Sequence, residues 1–164
     1  MALAVTHVII AIIVLDMFRH YVFGKKKFPR YLLVVGGIAG LLPDIDVPLT
    51  WIYNLLMGTT ESLHGLFTHS ILFPVIFLIL TSVLFLQKKI KWAKVSLVIF
   101  AGLFLHLFLD CLYGGYSTFL WPLEFSTSFC PQWGIKSYAS AIDALILVAW
   151  LVHEEAHKLI KDYF

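Results

Sequence analysis

Leu42-Pro43-Asp44-Ile45-Asp46-Val47-Pro48 is the stretch on which the reading of this chain turns. It sets two carboxylates between prolines in a sequence that is 60% hydrophobic and only 13% charged. A polar group left unpaired in an apolar setting costs several kcal/mol, so these acids need partners. The candidate partners are His7, His64, His69 and His106, with Asp110 one helical turn after His106.

The surroundings of that stretch are those of a membrane protein. The chain has 164 residues, enough for a single domain over residues 1–164, and its mean hydropathy of +0.90 exceeds what a soluble core of that size needs. A net charge of +2, with basic residues dispersed at the ends of apolar runs, excludes nucleic acid as a partner. The first apolar run lacks a basic leader and a small-residue cleavage site, and so reads as a retained helix. Cys111 and Cys130 are too few for a disulfide framework; two unpaired thiols are the favoured reading over a single bridge.

Along the chain, residues 2–21 form a spanning helix by length, closed by the basic loop Lys25-Lys26-Lys27-Phe28-Pro29-Arg30. Residues 31–42 are apolar, with Gly36, Gly37 and Gly40 spaced for close helix approach. Counted from Phe28 this segment rises about 22 Å, short of a hydrocarbon core of about 30 Å. Residues 49–57, with Trp51 and Tyr53, read as an interfacial helix or lid. Residues 66–86 and 95–113 read as further spans joined by a basic turn, and residues 138–159 as the last helix. The expected fold is therefore an all-α integral membrane bundle with about five transmembrane helices and one short interfacial helix.

The basic residues orient this arrangement. Arg19, Lys25, Lys26, Lys27 and Arg30 follow the first span, Lys88, Lys89, Lys91 and Lys94 the third, and Lys158 and Lys161 the fifth. The positive-inside rule then predicts an N-terminus outside and a C-terminus in the cytoplasm. On that topology His7, Asp44, Asp46, His64, His69, His106 and Asp110 share one depth, near the extracytoplasmic face of the cell membrane. The charge argument made no use of the histidines, so this agreement is independent of it.

His106 and Asp110 stand at i and i+4, on one side of a helix. Neutral imidazoles and ionised carboxylates are suitable zinc ligands, and four histidines with three aspartates exceed what one closed site requires. The surplus predicts two divalent ions, zinc or else manganese, bridged by an aspartate of the Asp44/Asp46 pair. Such a pair activates water near neutral pH and clamps both oxygens of a phosphoester displacement. Asp44, His106 and Asp110 are the catalytic candidates, and all seven residues the metal-ligand candidates. Each has a plainer reading as a cap, a loop residue or an interhelical hydrogen-bonding group.

Other polar residues fall outside this set. Asp16, about 13 Å deeper than His7 by helix rise, reads as an interior hydrogen-bonding or proton-relay group. His153 and His157 read as a polar helix end, Asp143 as a supporting or extra ligand, and Glu61 and Glu124 as candidate general acids on outer loops.

Thr6-His7, Leu-Pro-Asp-Ile-Asp at 42–46, His64 followed by Thr68-His69-Ser70, His106 with Asp110, and Leu120-Trp121-Pro122-Leu123 together resemble the YdjM-like family of membrane-bound metal-dependent hydrolases. This chain has Gly65-Leu66 where the family pattern has arginine and glycine, which removes a holder for an anionic substrate. More loosely, the ligand order is similar to the zinc-dependent phospholipase C and P1 nuclease group, whose likeness implies phosphoester hydrolysis. The expectation is a hydrolase acting on a membrane lipid or lipid-linked substrate. A metal-ion or proton transporter and a structural subunit with a degenerate site are the alternatives.

Overall fold

In the computed structural model, which describes residues 4–61, 67–114, 119–122, 130 and 138–156, every regular element is a helix. The helix α1 spans Ala4–Phe18 and continues through a π-turn at Arg19–Phe23. No glycine or proline interrupts it before Gly24, so nothing breaks the hydrogen-bond ladder. After the basic loop, α2 covers Tyr31–Ala39, a 3-10 turn covers Leu42–Ile45, and α3 covers Asp46–Met57. Pro43 and Pro48 each fall in a first turn, where a missing N–H has no intrahelical acceptor to lose. Gly58, at φ +65°, ends α3 by donating its N–H to the Asn54 carbonyl, in a left-handed conformation that a Cβ would oppose.

A 3-10 turn at Phe67–His69 leads into α4, Leu72–Leu86; α5 follows over Ile90–Gly114 and α6 over Ala139–Ala156. The 25-residue α5 is the spine, with α1, α2 and α4 packed against it. Leu15, Phe28, Leu32, Leu33 and Val98 form a buried apolar cluster between α1, α2 and α5. At Gly102 the helices α2 and α5 meet backbone to backbone. A Cβ there would stand 2.6 Å from the Gly36 carbonyl oxygen and 2.9 Å from the Gly40 nitrogen. The glycines of α2 thus do serve close approach, and Gly102 is the counterpart that the sequence reading overlooked.

The helices α1 and α6 run in the same direction. Thr6 Oγ1 donates to Asp143 Oδ2 at 2.7 Å near one end of the pair, and the Tyr21 hydroxyl meets His153 Nε2 at 2.6 Å near the other.

The structure revises several expected boundaries. Among the described residues two helices, Ala4–Phe23 and Ile90–Tyr113, are long and apolar enough to cross a membrane. The pair α2 and α3, bent by 52° at the Leu42–Ile45 turn, makes a third if the two count as one broken span. This is two or three spans by length and composition where about five were expected. The difference lies in α4, whose helical part is 15 residues because Phe67–His69 winds as a 3-10 turn, and in α6, whose 18 residues carry three acids. The expected interfacial helix begins at Asp46 rather than Leu49, and most of its apolar side chains face outward, Trp51, Leu55 and Leu56 the most exposed among them. Cys111 and Cys130 form a disulfide with Cα atoms 4.9 Å apart, correcting the favoured reading of two free thiols. Sequence spacing cannot reveal that the loop brings Cys130 back to the end of α5.

Candidate metal centre

Close contact at Gly102 fixes what happens one turn further along α5. His106 there reaches the end of α2, and its Nδ1 lies 2.7 Å from the Gly40 carbonyl oxygen. A carbonyl only accepts, so Nδ1 carries the proton and Nε2 keeps its lone pair. That lone pair faces Asp110 Oδ2 at 3.3 Å, on the same helix, and Asp44 Oδ1 at 3.6 Å, from the 3-10 turn. His69, at the end of its own 3-10 turn, brings Nε2 to 3.5 Å from Asp44 Oδ1 and 3.9 Å from Asp110 Oδ2.

These separations are longer than the about 2.7–2.9 Å of a charge-assisted hydrogen bond. Buried His106 Nε2 indeed makes no hydrogen bond among the described residues. Ligand atoms bound to a tetrahedral ion at 2.0–2.1 Å stand about 3.3–3.4 Å from one another. The four imidazole-to-carboxylate distances among His69, His106, Asp44 and Asp110, 3.3–3.9 Å, are near that separation. The donor set, two imidazole nitrogens and two carboxylate oxygens, suits zinc and, less selectively, manganese. The residues fit the group.

His7 extends the cluster. Its ring stacks on that of His106, with centroids 3.7 Å apart and planes 19° apart, and its Nε2 lies 3.4 Å from Asp110 Oδ1. Neither ring nitrogen of this buried histidine makes a hydrogen bond among the described residues. Asp110 therefore turns one oxygen toward His7 and the other toward His106 and His69. Two ligand groups result, His7 with His106 and Asp110, and Asp44 with His69 and His106.

Burial gives the centre a direction. The side chains of His7, His69, His106 and Asp110 are at most 1% exposed, whereas that of Asp44 is 23% exposed. Asp44 is the member of this group that reaches the surface.

Around this centre stands a layer that orients it. Asp46 Oδ2 lies 3.2 Å from His69 Nδ1 and accepts the Thr68 hydroxyl at 3.0 Å. Asp46 was expected among the ligands, but the structure sets it behind His69, on the nitrogen facing away from Asp44. A carboxylate in that position holds a histidine's tautomer and ring orientation. Ser70 Oγ donates to the Trp121 carbonyl at 2.8 Å and the Ile71 N–H to that of Phe119 at 3.0 Å. The Trp121-Pro122 segment thereby clamps the turn that carries His69. Asp143 reaches the cluster only through Thr6, beside His7.

Other candidates lie elsewhere. Glu61 is exposed, and its carbonyl accepts from Asn54 Nδ2. Asp16 sits at the opposite end of α1, bonded to its own neighbours Arg19 and His20. His64, Glu124 and His157 lie outside the described residues. The sequence reading missed the Gly40 carbonyl and the supporting role of Thr68, since neither has a signature in residue type. It also missed His20, which the i,i+4 spacing from Asp16 would have revealed.

Fold and site together define a class: a helical bundle with helices long and apolar enough to cross a membrane and a buried imidazole–carboxylate centre gathered at one end. Within that class the chain belongs to the YdjM family, since the family model described as YdjM inner membrane protein matches residues 1–160. Among curated proteins and among solved structures, nothing matches the chain.

Proposed function

We propose that this inner-membrane protein is a metal-dependent hydrolase of a lipid or lipid-linked phosphoester, its centre near the extracytoplasmic face. One observation carries the reading: His69 Nε2 and His106 Nε2 each stand 3.3–3.9 Å from both Asp44 Oδ1 and Asp110 Oδ2, with no hydrogen bond to His106 Nε2 among the described residues. These four hold one divalent ion, zinc or else manganese. His7 with the other oxygen of Asp110 begins a second ion's shell, and His64 joins the ligands on the sequence reading. The bridging role expected for the Asp44/Asp46 pair falls to Asp110, whose two oxygens face different histidines.

Bound ions of this kind activate water near neutral pH and stabilise charge on phosphoester oxygens. The chain's own contribution is orientation and exclusion. Gly40 and Asp46 hold the rings of His106 and His69, the buried rings keep bulk water out, and Asp44 lines the one exposed edge. The outward apolar residues of α3, which starts at Asp46, suit contact with acyl chains while a headgroup reaches Asp44.

Elemental analysis of the purified protein tests this reading, beside a variant with Asp44, His106 and Asp110 replaced together by alanine. The triple variant is expected to lose about two zinc or manganese ions per chain, one for each of the two ligand groups, together with metal-dependent hydrolysis of phospholipids or lipid phosphates. No metal in the native protein after reconstitution would overturn it.

A transporter is the second reading, favoured by the buried Asp16, His20 and Glu154 at the other end of α1. Against it, residues 8–15 between the two clusters are all apolar. Zinc uptake into proteoliposomes that fails in the same triple variant would support transport instead.

A further inference from the structure

The end of α1 remote from the His/Asp centre holds a second group of ligating side chains that the hydrolase reading does not use. Asp16, His20 and Glu154 offer ligand atoms that lie within 4.8 Å of one another. All three are withdrawn from solvent: Asp16 is 1% exposed, Glu154 is 2% exposed and the His20 side chain is 5% exposed. Asp16 and His20 are one turn apart on the same helix, and the π-turn at Arg19–Phe23 carries His20 toward α6, where Glu154 sits. Single π-turns of this kind recur at functional sites.

Partners hold His20 and Glu154 in place. His20 Nδ1 donates to the Asp16 carbonyl at 2.9 Å, so Nε2 keeps the lone pair. Glu154 Oε1 lies 3.3 Å from His153 Nδ1, and His153 Nε2 meets the Tyr21 hydroxyl at 2.6 Å. The other oxygen, Glu154 Oε2, is buried and has no hydrogen-bond partner among the described residues. An uncompensated carboxylate oxygen in a low-dielectric interior calls for a cation or a donor.

Arg19 is the resident cation nearby, and among the described residues its hydrogen bonds go to Asp16, His20 and Phe28 rather than to Glu154. Its Nη1 stands 3.4 Å from Asp16 Oδ1 and 3.3 Å from His20 Nε2, both longer than the about 2.7–2.9 Å of a closed charge-assisted bond. The side chain is anchored separately, by Nε donating to the Phe28 carbonyl at 3.2 Å. Two carboxylates against one guanidinium leave the buried group formally one charge negative. Nine residues, about 13 Å of helix rise, separate Asp16 from His7, so the two clusters cannot share an ion.

We infer that Asp16, His20 and Glu154 form a second divalent-cation site at the far end of α1, independent of the His/Asp centre. Two carboxylates with one imidazole suit manganese or zinc. Glu154 supplies the oxygen that no protein donor takes, and Arg19 offsets the charge of Asp16 beside it.

The test compares the full chain in lipid nanodiscs as native protein, E154Q, H106A and the double variant, loaded separately with zinc and with manganese and then dialysed. Metal per chain is measured by elemental analysis and bound manganese by its electron paramagnetic resonance. Glutamine preserves the shape of Glu154 and its contact with His153, so E154Q should stay monodisperse with native helicity. Expected is a loss of about one ion per chain in E154Q, a separate loss in H106A, and both losses together in the double variant. Native metal content and an unchanged manganese signal in E154Q would overturn the site and leave these residues an internal hydrogen-bonded network. If E154Q loses an ion and H106A loses none, the second site stands and the hydrolase centre falls.

Discussion

The imidazole of His106 hangs from the carbonyl of Gly40, Nδ1 to oxygen at 2.7 Å, across the closest contact between α2 and α5. That one bond ties the tautomer of a proposed ligand to the packing of two helices. The centre therefore depends on residues that touch no metal, and its properties can be probed from a distance.

Gly102 is the first such residue. A methyl group added there meets the Gly36 carbonyl at 2.6 Å, backbone that cannot swing aside. G102A should cost about 1–3 kcal/mol through overpacking. It should also weaken metal binding, because separating α2 from α5 lengthens the His106–Gly40 bond. Thermal unfolding in detergent and a chelator-competition titration check this; native values of both would mean that the helices have room to spare.

Asp110 and Asp46 should respond differently to the same change. D110N removes a carboxylate that faces three histidines and should abolish metal binding at the His/Asp centre, and hydrolysis with it. D46N leaves the inner ligands in place and loosens only the support of His69, a loss of about 10–100-fold in metal affinity. Equal losses in the two variants would place Asp46 among the ligands themselves.

Stripping the metal with a chelator should destabilise the fold, since the ligands come from α1, α5 and two separate 3-10 turns that the ion would tie together. Restoring zinc to about 100 times its dissociation constant should return about 2.7 kcal/mol of stability. A melting curve indifferent to chelator and to zinc would count against a bound ion.

The disulfide closes a loop of 19 residues onto Cys111, the neighbour of Asp110. On chain-entropy grounds its removal should cost about 3 kcal/mol. C111S/C130S should unfold at a lower temperature than the native protein, and a reducing agent should bring the native protein to the same value. No response to reductant would show the link to be dispensable.

Topology is open to labelling from outside the cell. In that cysteine-free background, single cysteines at Thr60 and Gln87 should behave oppositely toward an impermeant thiol reagent, Thr60 reacting and Gln87 protected. The reverse pattern would put the His/Asp centre on the cytoplasmic side and take the proposed outer-leaflet substrate with it.

Much of this was legible in one dimension because hydropathy and residue chemistry are local. The apolar runs of α1 and α5, the glycines of α2 and the list of imidazoles and carboxylates could be read without coordinates. Span counting was less secure: α4 is shortened by the 3-10 turn that carries His69, and α6 mixes Asp143, Glu154 and Glu155 into its apolar run. A window of hydropathy does not register where helical winding starts.

By itself, the sequence determined that the chain is helical, apolar enough for a membrane, and furnished with more metal-ligating groups at one end than a bundle needs for its own cohesion. Only the tertiary structure decided which groups do what. Asp46 lies on the far side of His69 from Asp44, Asp110 turns one oxygen to His7 and the other to His69 and His106, Cys111 is bonded to Cys130, and His20 and Glu154 lie beside Asp16. These assignments depend on which ring nitrogen or carboxylate oxygen points where. That is set by helix contacts such as Gly102 on Gly36 and Gly40, made between residues more than sixty positions apart in the chain.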